Sequence, residues 1–179
     1  MSSSERYSDP RAFAEYNEND GQEIVASALV PLSAGDAFDA WIAHVWQGFT
    51  EVTPGVGRGY VGHTRQVPLG ITEQIVSAGL PDDVDGGQGA RIPSVLYKLR
   101  RFGAMPVQDH IGFVRFVQDE SAATPNTLVL WTIKVVPSTA GNVFLCGGSV
   151  LRVFLRSALK YFLRDMQSRL RKLERVKSK

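Results

Sequence analysis

From Gly148 to Lys177, apolar residues recur at steps of three and four: Leu151, Leu155, Ala158, Leu159, Phe162, Met166, Leu170 and Leu173. At about 100° per residue they share one side of a helix, and Arg156, Lys160, Arg164, Ser168, Arg171 and Arg175 share the other. At ~1.5 Å rise per residue such a helix is about 40 Å long, enough to cross a small domain. Gly147-Gly148-Ser149 offers a flexible entry with Ser149 as a possible N-cap. A helix with so long an apolar face needs a broad apolar surface to lie on.

The segments before it supply that surface. Ile24, Ala26, Ala28 and Val30 alternate along a strand from Glu23 to Val30, which Pro31 ends. Ser33 then precedes Asp36 by three, an N-cap signature with Asp in place of Glu. It introduces a short amphipathic helix carrying Phe38, Trp41, Ile42, Val45 and Trp46 and ending near Gly48. Phe49–Val52 is a weak strand candidate, and Pro54, Gly55, Gly57 and Gly59 make the next stretch a loop. Tyr60–Val67 and Ile71–Ala78 read as a hairpin joined by Pro68-Leu69-Gly70. Gly79–Gly89 is an acidic, Gly-rich loop; Ser94–Phe102, His110–Asp119 and Thr127–Val136 are three further strands rich in β-branched and aromatic residues. Strands in a run followed by one long helix indicate an α+β fold, a curved antiparallel sheet of six to seven strands wrapped around the C-terminal helix. The polar, irregular residues 1–21 are an N-terminal extension to a domain spanning 22–179.

Composition narrows the class without naming a function. The 179 residues are 44% hydrophobic and 21% charged, ordinary for a soluble globular domain. No apolar run reaches the ~18 residues of a membrane span, and the polar start has no signal-peptide core. The single cysteine, Cys146, excludes an internal disulfide and suits a reducing, cytoplasmic setting. Charge is unevenly placed: residues 5–39 hold eight acids and two arginines, whereas residues 152–179 hold ten Lys/Arg against Asp165 and Glu174. A solvated helix face in step with the macrodipole explains this better than a nucleic-acid surface, since no aromatic residues interleave for base stacking. There is no nucleophile elbow, phosphate loop or dinucleotide fingerprint, and the histidines His44, His63 and His110 lack metal-ligand spacing, so neither metal nor cofactor is expected.

The motifs in order carry a resemblance. Pro31-Leu32-Ser33-Ala34-Gly35-Asp36-Ala37-Phe38-Asp39-Ala40-Trp41 leads into the first helix, Pro54-Gly55-Val56-Gly57-Arg58-Gly59 precedes Val61–Val67 with Arg65, and Ile71-Thr72-Glu73-Gln74-Ile75 follows. With Leu96-Tyr97-Lys98-Leu99, Val129-Leu130-Trp131-Thr132 and the terminal helix, the chain over residues 22–177 resembles the START-like, or SRPBCC, superfamily of helix-grip proteins. Its members include lipid carriers, pollen-allergen-like proteins and polyketide cyclase/dehydrases. The resemblance implies an elongated cavity between sheet and helix for a hydrophobic small molecule, with a cyclase/dehydrase-type enzyme as the alternative.

Arg65 and Glu73 lie four residues either side of Leu69 and so should pair across the hairpin. Facing inward they would anchor a ligand or hold a catalytic carboxylate; facing outward they would be a surface ion pair worth ~0.2–1 kcal/mol. Similar members of the superfamily place the Glu on the cavity side, which makes Glu73 the first candidate catalytic residue; Tyr97, as a hydroxyl donor, and His63, on the strand face of Arg65, are the others. Arg65, Glu73, Tyr97, Trp131 and Phe162 are the candidate ligand contacts. His110 follows Asp109, but neighbours in a strand point to opposite faces, so the two are not a ready-made dyad. Val150, Val153, Phe154 and Tyr161 widen the helix's apolar face, either at a cavity mouth or as a homodimer patch.

Overall fold

The computed structural model describes residues 22–79, 92–119, 121, 123–140 and 148–177. The extension 1–21, most of the acidic loop and Cys146 lie outside the described residues, as does the side chain of Leu173. Seven strands form one antiparallel sheet: β1 (Gln22–Val30), β2 (Thr50–Thr53), β3 (Thr64–Val67), β4 (Ile71–Gly79), β5 (Ser94–Arg101), β6 (Val107–Gln118) and β7 (Thr127–Pro137), in the order β1-β7-β6-β5-β4-β3-β2. Between β1 and β2 stand α1 (Ala34–Trp41) and a π-turn (Ile42–Trp46), and α2 (Ser149–Lys177) ends the chain. Register irregularities at Glu51/Thr53, Thr72/Glu73, Ile75/Ser77 and Val107/Asp109 each add local twist. They bend the sheet around α2.

The helix stripe is buried at Leu151, Leu155, Leu159, Leu163, Met166 and Leu170, with Ala158 and Phe162 half-buried. Leu163 was not expected on this face. Its inclusion rotates the stripe toward β1, whose outer carbonyls the helix also covers. Gln167 donates Nε2–H to Leu29 O at 2.8 Å and Arg156 reaches Val25 O at 3.4 Å. An edge strand's free carbonyls thus gain partners within the chain. The expected cap, Ser149, is instead the first helical residue, and the cap position falls one residue earlier: Arg152 N–H donates to Gly148 O, and Gly148 has a φ of +81°.

Ser33 caps α1 as expected, accepting the N–H of Asp36 at 3.2 Å. The helix then widens, with Gln47 N–H donating to Ile42 O five residues back. Phe38, Trp41 and Trp46 are fully buried against the sheet, Phe38 edge-on to Phe116 at 5.5 Å and Trp41 edge-on to Trp131 at 5.4 Å.

Two strand boundaries differ from expectation. The strand expected from Tyr60 starts at Thr64, because Val56 and Val61 exchange both backbone hydrogen bonds in their own tight hairpin, and Tyr60 and Gly62 take φ of +52° and +85°. β6 starts at Val107, not His110, because residues 107–110 continue the ladder along β7 through a bulge that breaks the alternation. His110 is therefore interior to a strand.

Candidate functional site

Strand register decides which side chains share the concave face. Arg65 pairs with Glu73, Glu73 with Leu99, Tyr97 with Gly112, and Gly112 with Ile133. Stepping by two along each strand adds His110 and Trp131 to the same face. Between this face and α2 lies a cavity of about 420 Å³. Its wall is apolar over most of its extent, with Val67, Ile71, Leu99, Met105, Ile133 and Leu155 among the lining residues. Leu69, Val150 and Phe154 line it while more than half exposed, which places the opening between the β3–β4 turn and the first turns of α2. Val153 and Tyr161 are exposed outside the lining.

Polar groups gather at one pole, where Arg65, Glu73, Tyr97 and His110 meet the cavity. Glu73 Oε2 accepts from Arg65 Nε at 2.7 Å and from Nη2 at 2.6 Å. Arg65 Nη1 donates to Val45 O at 2.7 Å and Trp46 O at 2.6 Å, so it satisfies carbonyls left free where the short helix ends. Its guanidinium also lies 3.9 Å from the Trp46 ring centre and 4.9 Å from that of Phe49. Four of its five N–H groups are thus committed inside the protein. Arg65 lines the cavity, but its chemistry is to hold Glu73 and close α1. Glu73 Oε1 has no hydrogen-bond donor among the described residues.

Tyr97 is buried, and its hydroxyl oxygen accepts from Trp131 Nε1 at 2.8 Å. Indole N–H is a donor only, so the phenol's own proton remains to be given elsewhere. Burial raises the Tyr97 pKa well above the ordinary tyrosine value, and the Glu73 charge pushes the same way against the Trp131 bond and Arg65. The phenol stays a donor at any physiological pH. Gly112 makes room for it, since a Cβ there would overlap the phenol ring.

His110 is also buried, 5.6 Å from the Tyr97 ring centre. Burial lowers its pKa below the ordinary histidine value, against the opposing pull of Glu73 and Asp109. Its Nδ1 is sealed from solvent without a partner, and Asp109 Oδ1 bonds the backbone N–H of His110, not its ring. Sequence reasoning set His110 aside at a strand's start; a histidine inside an apolar strand was the signal for the site.

His63 sits elsewhere. Its Nδ1 accepts from Trp46 Nε1 at 2.9 Å, which leaves the ring proton on Nε2, 3.1 Å from Glu51 Oε2. Both nitrogens are spent, and the ring is not among the residues lining the cavity. Trp131 and Phe162 do line it. Among the described residues no group of three or more His, Cys, Asp or Glu side chains could hold a metal, and no helix is long and apolar enough to cross a membrane.

No family model and no curated protein matches the sequence. Solved structures do match. The protein described as Ara h 8.0201 aligns with a TM-score of 0.55 at 8% identity, over 85% of this chain and 99% of that one. The di-domain ARO/CYC StfQ of the steffimycin biosynthetic pathway aligns at 0.51 and 14% identity, over 91% of this chain and 55% of its own. Norcoclaurine synthase from Thalictrum flavum aligns at 0.50 and 13% identity, over 86% and 96%. Sheet order, the terminal helix and these alignments agree: the chain has the helix-grip fold.

Proposed function

We propose that this protein binds a hydrophobic small molecule between the sheet and α2. The observation that carries this reading is the cavity itself, about 420 Å³ with an apolar wall and polar groups confined to one pole. Sites of this kind hold ligands by burying apolar surface, at ~25 cal/mol per Å², while a few polar groups fix orientation. Glu73 and Tyr97 are the orienting groups, Trp131 and Phe162 are wall contacts, and Arg65 acts through Glu73. Native mass spectrometry of gently purified protein, followed by denatured mass and organic extraction, tests the reading. A retained apolar compound is the expected result. Protein that is empty and takes up no hydrophobic probe would overturn it.

A second reading, an enzyme of the cyclase/dehydrase kind, rests on a specific feature. The Tyr97 phenol is oriented by Trp131, and the unpartnered His110 imidazole stands beside it. Such a donor next to a neutral base can move a proton at a ligand carbonyl. StfQ and norcoclaurine synthase, whose folds align with this one, are described by catalytic names. Tyr97→Phe separates the readings: a carrier loses modest affinity, whereas an enzyme keeps its ligand and loses turnover.

A further inference from the structure

The polar pole has a charge pattern that a general apolar cavity would not need. Arg65 is the cation among the described lining residues, yet its charge is met by Glu73 Oε2 and four of its five N–H groups are engaged. What the pole offers a ligand is the opposite set: the Glu73 Oε1 acceptor, the Tyr97 O–H donor, and a His110 imidazole that burial keeps neutral. A carboxylate head would put its negative charge against Glu73 with one uncommitted Arg65 N–H to answer it. A hydroxyl head has both a proton to give to a Glu73 oxygen and lone pairs to accept from Tyr97, and both residues line the cavity. Resting on the cavity-binding reading above, we propose that the site selects neutral apolar molecules bearing a hydroxyl, and discriminates against carboxylates of the same length, because Glu73, with Oε1 unbonded, is its acceptor and Tyr97 its donor.

The class this points to is an apolar alcohol or phenol, in contrast to a fatty acid. Hydrogen bonds to a charged acceptor are strong enough to be worth about tenfold in affinity inside a cavity. Selectivity of this kind is a difference between two affinities, and here the repulsive element is Glu73.

The full-length protein is titrated at pH 7.5 with 1-decanol, decyl methyl ether and decanoate, each displacing a fluorescent apolar dye. Decanol is expected to bind about tenfold tighter than the ether, which matches it in chain but has no proton to give. Decanoate is expected to bind weakest. In Glu73→Gln the carboxamide can donate as well as accept, so the decanol-to-decanoate ratio is expected to fall about tenfold. An unchanged ratio in the variant would assign the discrimination to desolvation of the carboxylate and overturn the role of Glu73. Equal binding of alcohol and ether by the wild-type protein would overturn the proposal even if the variant fails to fold, and would leave the cavity reading standing. Failure of the dye and of all three probes to bind would remove the cavity reading and the selectivity together.

Discussion

Two polar clusters lie side by side on the inner face of the sheet, and they have opposite fates. His63 and Arg65 are two residues apart, equally buried, and each meets a carboxylate. His63 is closed off by the Trp46 indole on one side and Glu51 on the other, and the Glu51 side chain is 58% exposed. Arg65 meets Glu73, whose side chain is 13% exposed and lines the cavity. The first cluster is a satisfied seam between α1 and the sheet edge; the second leaves acceptor and donor capacity unspent. Burial is shared by both, so it does not by itself locate a binding site. What separates them is whether the carboxylate partner keeps bonding capacity toward the cavity: His63 spends both ring nitrogens away from it, whereas Glu73 lines it with one oxygen unbonded.

The contrast is most sharply broken at Glu73. Glu73→Ala leaves the buried Arg65 without its counter-charge, and the folding free energy is expected to drop by about 3 kcal/mol in urea denaturation. Next is Gly112→Ala, whose methyl group would overlap a Tyr97 ring already backed by Trp46 and Trp131. It is expected to cost about 1–3 kcal/mol and to disturb near-UV circular dichroism from these rings.

The response to acid comes third. His110 binds its proton less readily in the folded protein than in the unfolded chain. Below about pH 6.5 the unfolded state therefore takes up more protons, and stability falls with pH until the folded-state value is passed. Urea midpoints from pH 7.5 to 5 should decline in the wild type, and His110→Asn should flatten that slope.

Glu51→Ala is the smallest effect, under ~1 kcal/mol, because its carboxylate is solvated and His63 keeps its bond from Trp46. A loss at Glu51 matching that at Glu73 would show that the two clusters do not differ as described.

Much of this was legible in the amino-acid sequence. The period of three and four in α2 and the alternation in β1 are imposed by burying one face. Pro68-Leu69-Gly70 set the hairpin register, and that register alone placed Arg65 opposite Glu73. The Ser33 cap and the order of elements, strands and then one long helix, were equally local in origin. These features are determined along the chain because backbone geometry repeats with a known period.

Tertiary structure decided the rest. That Arg65 is committed to Val45 and Trp46 depends on where α1 ends relative to β3, about twenty residues away along the chain. That His63 is sealed while His110 reaches the cavity depends on Trp46 and on a bulge in β6. That Tyr97 must donate its proton depends on an indole thirty-four residues on. Hydrogen-bond capacity is read from a residue's type, but whether it is spent depends on groups distant in sequence, which only the packed fold brings within 3 Å.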